Sequence, residues 1–265
     1  MKKLKTKAPL SYFGSDAAVA KELAKLLNHC KHVTIPFCGG MSILPWLDAM
    51  HVVANDMNEL AIDFYRVLSG YSGNADELQR MCEYTLTHPS ELERARSLIE
   101  SDVPTARAWA YWAQCWLGRK GKTGTNGEGK GMPSVRRTPT GGANASRIVS
   151  AAADLESWAG HFQRCEWTCE DFRVCLSKVA DDVQCAVYCD APWIDDGDGY
   201  IHNFTMQDHI DLLYCVERFT KATVVIRYGD HPTVRELYAG CRIIEASSRT
   251  QTNAVKGELW ITNKS

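Results

Sequence analysis

A carboxylate and an aromatic ring stand close together in residues 183–193, just after an apolar run. Residues 186–189 are short, apolar and rich in β-favouring side chains, which predicts a buried strand. Asp190 ends this run, and Pro192 prevents a central strand from continuing. Trp193 follows, so a hydrogen-bond acceptor lies beside a flat ring, which suits a planar, amino-bearing substrate such as a flipped nucleobase. In the alternative interpretation Asp190 caps a turn and Trp193 fills the core.

Two further segments have the form of ligand-binding turns. The strand-like residues 32–37 break into Cys38, Gly39 and Gly40, and glycines after a strand let the backbone approach a ligand closely. A second short strand ends at Asp56, where an acid meets a ribose in many nucleotide-binding folds. The separation of this acid from the glycines is a little shorter than dinucleotide-binding folds usually have.

The elements that must position these residues alternate between strands and helices. Residues 1–70 and 161–265 contain both patterns, whereas 71–118 contains three helical patterns and no strand. A further helix is predicted over 145–162. We expect an α/β fold with a mostly parallel sheet, helices on both faces and an inserted helical subdomain over 71–160.

A basic, glycine-rich segment at 118–147 differs in composition from the rest of the chain. It contains eight Gly, seven Lys or Arg and one acid, Glu128. Such a segment cannot bury a core, which predicts a loop. Its charge suits a phosphate backbone, although a solvated insertion would have the same composition. The basic residues are Arg119, Lys120, Lys122, Lys130, Arg136, Arg137 and Arg147.

The amino-acid composition excludes several classes of protein and of metal site. The chain has 265 residues, of which 45% are hydrophobic, and its formal net charge of −2 excludes a uniformly basic nucleic-acid coat. The eleven Cys are odd in number and scattered, as expected of free thiols in a reducing compartment. Cys165 and Cys169 have a metal-like spacing, but no second pair completes a zinc site, and Asp195 and Asp198 lack the closing Glu of a calcium loop. We expect no metal, no signal peptide and no membrane segment.

Six short motifs, in order along the chain, resemble those of the Dam-like D12 class of DNA adenine-N6 methyltransferases. The class motifs include Pro-Phe-x-Gly-Gly, Asn-Asp-x-Asn and Asp-Pro-Pro-Tyr. Their counterparts here are Tyr12-Phe13-Gly14, Pro36-Phe37-Cys38-Gly39-Gly40, Asn55-Asp56-Met57-Asn58, Asp171-Phe172, Asp190-Ala191-Pro192-Trp193 and Glu258-Leu259-Trp260-Ile261-Thr262-Asn263. The resemblance implies a Rossmann-like methyltransferase sheet, with 1–70 and 161–265 as catalytic domain and 71–160 as target-recognition insertion.

The resemblance also implies S-adenosylmethionine as cofactor. The cofactor would lie along the glycine loop, with its ribose on Asp56, its adenine near Phe172, and its amino-acid end near Tyr12 and Gly14. The full set of implied cofactor residues is Tyr12, Gly14, Phe37, Cys38, Gly39, Gly40, Asp56, Asp171, Phe172 and Asp190. The location implied is the cytoplasm of a bacterial or phage-infected cell.

The catalytic residues implied by the resemblance are Asp190, Ala191, Pro192 and Trp193. An adenine flipped out of duplex DNA would stack on Trp193 and donate its amino hydrogens to the Asp190 carboxylate and the Ala191 carbonyl. The chain departs from the class at Asp16, where a Lys is usual, at Ala191, which replaces Pro, and at Trp193, which replaces Tyr. Two alternatives stay open, namely a catalytically silent DNA- or cofactor-binding relative and a methylase whose acceptor is RNA or a modified base.

Overall fold

The computed structural model describes residues 8–12, 17–118, 131–133, 144–194, 201–249 and 255–264. The chain forms two compact units. A helical unit comprises Met1–Ser15, Gly39–Met41 and Asn58–Arg164, and a sheet unit comprises Asp16–Cys38, Ser42–Met57 and Cys165–Ser265. The functional domain boundaries expected at 70/71 and 160/161 stay predictions.

Seven strands of the sheet unit form one sheet in the described part of the chain. They are β1 His32–Ile35, β2 His51–Asn55, β3 Cys165–Thr168, β4 Cys185–Cys189, β5 Thr223–Gly229, β6 Arg242–Arg249 and β7 Val255–Thr262. Their spatial order is β3-β2-β1-β4-β5-β7-β6. The first five strands in this order pair in parallel, whereas β7 is antiparallel to β5 and β6. The expected α/β, Rossmann-like fold is therefore confirmed.

The central strands β4 and β5 are apolar because both of their faces are buried. All seven residues of β5 are buried, as are the last four of β4. Parallel strands that are buried on both faces have continuous apolar runs rather than alternating ones. This is why the strand before Asp190 could be recognised from its local sequence.

The described ranges contain nine α-helices. They are α1 Ala20–Lys25, α2 Glu59–Leu68, α3 Ala75–Glu83, α4 Pro89–Leu98, α5 Pro104–Leu117, α6 Asn144–Phe162, α7 Phe172–Ser177, α8 Met206–Glu217 and α9 Pro232–Leu237. Helices α7, α8 and α9 share one hydrophobic core with the alternate residues Val187 and Cys189 of β4 and Val224, Ile226 and Tyr228 of β5. The other side chains of β4 and β5 project from the opposite face of the sheet, because successive residues of a strand alternate.

Helix α5 is the centre of the helical unit and packs against α2, α3, α4 and α6. Its aromatic residues Trp109, Tyr111 and Trp112 are buried, so most of the aromatic surface of this helix belongs to the core. Asn58 caps the start of α2 by accepting a hydrogen bond from the amide of Ala61. Among the helices within the described ranges, none combines the length and apolar character needed to cross a bilayer.

Candidate active site

The sheet has a topological switch point between β1 and β4. β1 lies between β2 and β4, and ligands of open α/β sheets bind outside the carboxyl ends of strands at such a point. Phe37 and Cys38 follow β1, and Asp190 directly follows β4. The topology therefore brings the predicted acid and the first part of the glycine loop to the same edge of the sheet.

The carboxylate of Asp190 is held by Arg227 of β5. Nη1 of Arg227 lies 3.2 Å from Oδ1 and 3.0 Å from Oδ2 of Asp190. The Asp190 side chain is 16% exposed and that of Arg227 is 5% exposed. Charge-assisted hydrogen bonds of this kind are short and directional, so the acid has a defined orientation while part of its surface stays accessible.

Glu258 of β7 holds the other side of the same guanidinium. Nε of Arg227 donates to Oε2 of Glu258 at 3.0 Å, and Nη2 donates to Oε1 at 2.6 Å. The side chain of Glu258 is fully buried. Burial disfavours the charged guanidinium, but the negative charge of Asp190 and the hydrogen bonds to Glu258 outweigh this effect and hold the pKa of Arg227 well above its ordinary value.

The ring of Trp193 packs on the backbone of Gly229. A Cβ atom added to Gly229 would lie 2.6 Å from Cε3 of Trp193, closer than carbon atoms can approach. The guanidinium carbon of Arg227 lies 5.2 Å from the centroid of the Trp193 ring, within the range of a cation–π contact. Ala191 is buried in the core and Pro192 is half-buried. The predicted stacking platform is thus oriented by two residues of β5.

The turns after β1, β2 and β3 are tied together by Asn55. Its Nδ2 donates to the carbonyls of Pro36 at 3.0 Å and Glu170 at 2.8 Å. Its Oδ1 accepts from Oγ1 of Thr168 at 2.8 Å and from the amide of Glu170 at 3.0 Å. Because Asn55 is fully buried, these four bonds fix the path of the chain immediately before Asp56, whose side chain is half-buried.

Phe37, Phe172 and Phe204 form an aromatic cluster beside the glycine loop. Their ring centroids are 5.3–5.6 Å apart. Phe172 is 4% exposed, whereas Phe37 is partly exposed. Cys38 is buried, and burial together with the nearby charge of Asp56 raises the pKa of its thiol well above the ordinary value. Cys38 is therefore a neutral packing residue of the loop.

Asp171 has a structural role at the start of α7. Its carboxylate accepts from the backbone amide of Arg173 at 2.8 Å and pairs with the Arg173 guanidinium at 2.9 Å. Arg173 also pairs with Asp208 and Asp211 of α8. These pairs raise the pKa of Arg173 against the opposing effect of burial, and they connect the two helices next to Phe172.

The remaining predicted cofactor residues in the described ranges belong to the helical unit. Gly39 has a φ angle of +44° and Met41 one of +54°, a left-handed backbone that favours glycine. A Cβ atom on Gly39 would lie 3.4 Å from two ring atoms of Tyr12. The hydroxyl of Tyr65 donates to the Gly39 carbonyl at 2.6 Å. The backbone angle therefore favours glycine at position 39, where an added Cβ would only make an ordinary contact with Tyr12, and Gly40 is buried beside it.

Several predicted residues lie outside the described ranges. These are Gly14 and six of the seven basic residues proposed to contact nucleic acid, namely Arg119, Lys120, Lys122, Lys130, Arg136 and Arg137. The seventh, Arg147, is half-buried on α6. Within the part of the chain that the structure describes, no group of three His, Cys, Asp or Glu side chains is placed to bind a metal ion.

Four residues of the site were missed by sequence reasoning, namely Asn55, Arg227, Gly229 and Glu258. Arg227 had a usable signal, because a charged residue inside the apolar run 223–229 must be paired when it is buried. Glu258 is the first residue of the motif 258–263, but the motif by itself does not indicate a role for this side chain. Asn55 is likewise the first residue of the motif Asn55-Asp56-Met57-Asn58, whereas Gly229 had no comparable local signal.

The arrangement combines an oriented carboxylate, a supporting cation and an aromatic ring at a ligand-binding edge. A carboxylate can accept hydrogen bonds from an amino group and offset positive charge that develops on it. A ring fixed nearby can stack on a planar base. The geometry is that expected for chemistry on an amino-bearing aromatic substrate.

Comparison with known proteins supports this interpretation. A family model described as D12 class N6 adenine-specific DNA methyltransferase matches residues 12–252, which is most of the chain. No curated protein matches the chain. The matched range includes Asp190, Trp193, Arg227 and Gly229, and it ends before Glu258.

Proposed function

We propose a mechanism from the premise that this chain belongs to the D12 class of N6 adenine-specific DNA methyltransferases. Its activity is the S-adenosylmethionine-dependent methylation of the N6 amino group of adenine in DNA. The observation that carries the mechanism is the position of Asp190, an oriented and partly accessible carboxylate at the carboxyl end of β4, beside the switch point.

The groups around the switch point suit S-adenosylmethionine as the bound cofactor. Asp56 presents a half-buried carboxylate after β2, and such an acid accepts hydrogen bonds from ribose hydroxyls. Phe37 offers a partly exposed ring for the adenine moiety. When bound, this cofactor supplies an electrophilic methyl group. Cys38, Asp171, Phe172 and Asp190 complete the proposed set in the sheet unit, and the motifs alone add Tyr12, Gly14, Gly39 and Gly40.

In the proposed reaction Asp190 acts on the acceptor nitrogen. The carboxylate of Asp190 and the carbonyl of Ala191 accept hydrogen bonds from the N6 amino group, which directs its lone pair toward the methyl group. Positive charge develops on this nitrogen as its bond to the methyl group forms and the bond between that methyl group and sulfur breaks, and the carboxylate stabilises this charge. The methylated nitrogen then becomes neutral by releasing one amino proton to solvent. Trp193 stacks on the base and limits its tilt, while Pro192 restricts the backbone between acid and ring.

The proposed substrate is duplex DNA from which the target adenine is flipped out. A base inside the helix cannot present its amino group to a carboxylate in a pocket, so extrusion precedes transfer. The basic segment 118–147 is proposed to contact the phosphate backbone, because seven of its residues are Lys or Arg in a chain of net charge −2. These contacts would be independent of base sequence.

The test is transfer of a labelled methyl group from S-adenosylmethionine to unmethylated duplex DNA, followed by nucleoside analysis. We expect label on adenine N6 with the wild type and a rate lower by about 100-fold or more with Asp190→Asn, which keeps shape but loses the charge. Asp48→Asn is the matched control, because Asp48 is an exposed carboxylate of the same unit. Single-stranded DNA of the same sequence is assayed in parallel.

Label on adenine with equal rates for Asp190→Asn and the wild type would refute the role of Asp190. Label on single strands alone would refute the proposal of duplex substrate.

A further inference from the structure

Arg227 is a buried cation on β5, an interior strand of the sheet, and carboxylates bind it on both sides. Gly229 and Glu258 are directly opposite in the β5–β7 register, so Arg227 and Glu258 are diagonal neighbours on one face. Nε and Nη2 bind Glu258, which leaves Nη1 directed at Asp190. The two bonds to Glu258 thus orient the planar guanidinium so that Nη1 contacts Asp190.

The charges of Asp190, Arg227 and Glu258 do not cancel. Asp190 and Glu258 are acids and Arg227 is a base, so the trio has a formal net charge of −1. If Arg227 paired with Asp190 alone, it would neutralise the charge that the proposed reaction needs beside the amino nitrogen. Because Glu258 balances the guanidinium, Asp190 keeps an effective negative charge while it is held in place.

Two buried titratable groups that interact with Asp190 stay neutral in the range where the enzyme would be assayed. Burial raises the pKa of the Cys189 thiol and of the Tyr228 hydroxyl well above their ordinary values, and the charge of Asp190 contributes in both cases. Tyr188 interacts with Arg227 from β4. Among the described residues of β5 and β7, Arg227 contributes the positive charge next to Asp190, and Glu258 contributes the second negative charge.

We propose that Arg227 and Glu258 are positioning residues for methyl transfer, which together fix the orientation of Asp190 and preserve its negative charge. Neither residue needs to touch the substrate. This inference rests on the proposed function of Asp190 and adds to it a requirement for two further residues on other strands. It predicts that the rate of methyl transfer depends on the net charge of these three residues as well as on each side chain.

The experiment compares four variants with the wild type: Arg227→Met, Glu258→Gln, the double variant Arg227→Met/Glu258→Gln, and Arg227→Lys. For each, kcat, KM for DNA and the pH profile of kcat are measured, and folding is checked by circular dichroism. Arg235→Met is the matched control, because Arg235 forms exposed ion pairs with Asp230 and Glu245 in the same unit. The control is expected to leave kcat and its pH profile unchanged.

Each variant has its own expected result. Glu258→Gln neutralises the trio, so kcat should fall at least about 10-fold with KM for DNA nearly unchanged. Arg227→Met leaves two carboxylates without their cation, so the acid limb of the pH profile should move to higher pH by about one unit or more. The double variant restores the net charge of −1, and its acid limb should return toward that of the wild type.

Arg227→Lys keeps the positive charge but loses the planar guanidinium that binds both carboxylates. The acid limb of its pH profile should therefore stay near that of the wild type, while kcat falls. Should Arg227→Met fail to fold, Glu258→Gln and Arg227→Lys decide the question. Wild-type kcat in a folded Glu258→Gln variant overturns the inference, as does an unshifted pH profile in folded Arg227→Met. If Asp190→Asn is also fully active, the proposed function has failed; if Asp190→Asn is inactive, this inference alone has failed.

Discussion

Replacing Gly229 by alanine should displace Trp193 without altering any group of the Asp190 trio. The added Cβ would lie 2.6 Å from Cε3 and 3.1 Å from Cζ3 of the Trp193 ring. Carbon atoms in contact are normally about 3.5 Å apart, so the ring has to move by about 1 Å. The strand itself resists movement, because all residues of β5 are buried in the sheet.

The expected effect follows from this displacement. A misplacement of about 1 Å at a reacting group lowers a rate by roughly 100-fold, which corresponds to about 2.7 kcal/mol in the activation free energy. Crowding of the buried site should also lower the free energy of unfolding by about 1–3 kcal/mol. Only the effect on rate tests the role of Trp193, because it arises only if this ring orients the adenine.

The assay is single-turnover methyl transfer to duplex DNA, at a temperature well below the melting midpoint of each variant. Gly240→Ala is the matched control, because a Cβ at Gly240 meets no atom within 4 Å. Methyl transfer by folded Gly229→Ala at the wild-type rate would show that the placement of Trp193 does not limit the reaction. An equal loss in Gly240→Ala would mean that the assay reports a general effect of the substitution.

Two predictions concern stability. Asn55→Ala removes four hydrogen bonds of a buried side chain and should lower the free energy of unfolding by about 3 kcal/mol in urea titrations, whereas Asn203→Ala, at an exposed position, should have little effect. Burial lowers the pKa of His209, which hydrogen-bonds to Tyr228 at 2.8 Å, from 6.5 to about 4. The unfolded chain therefore takes up a proton at this residue first, so the contribution of His209 to stability should be fully present above pH 6.5 and be lost as the pH decreases from 6.5 toward 4. His209→Gln should lose this part of the pH dependence, and an unchanged pH dependence would contradict the assignment to His209.

The local sequence predicted most strands and helices of the fold and the acids that follow the strand ends at the site. An apolar run that stops at an acid and a proline defines the end of a buried strand, and β4 ends directly before Asp190 as predicted. The acid that follows β2 was predicted for the same reason, and Asn58 is of a residue type that favours the first position of a helix. These features depend on neighbouring residues, whose chemical preferences act over a few positions of the chain.

The supporting contacts of the site depended on which distant strands become neighbours. β1 and β4 are separated by about 150 residues in the sequence, and the parallel pairing that puts their carboxyl ends at one edge has no local signature. The same holds for the antiparallel register that places Glu258 diagonally from Arg227 and for the packing of Trp193 on Gly229.

The sequence by itself therefore determined the fold class, the order of the motifs and the identity of the acid at the end of β4. It also determined that a charge inside β5 requires a partner, because an unpaired buried charge is strongly unfavourable. The tertiary structure alone decided that Asp190 and Glu258 share this role and that a strand glycine supports the ring of Trp193. A register shift of one residue would turn Glu258 to the other face of the sheet, and no local pattern in the chain specifies that register.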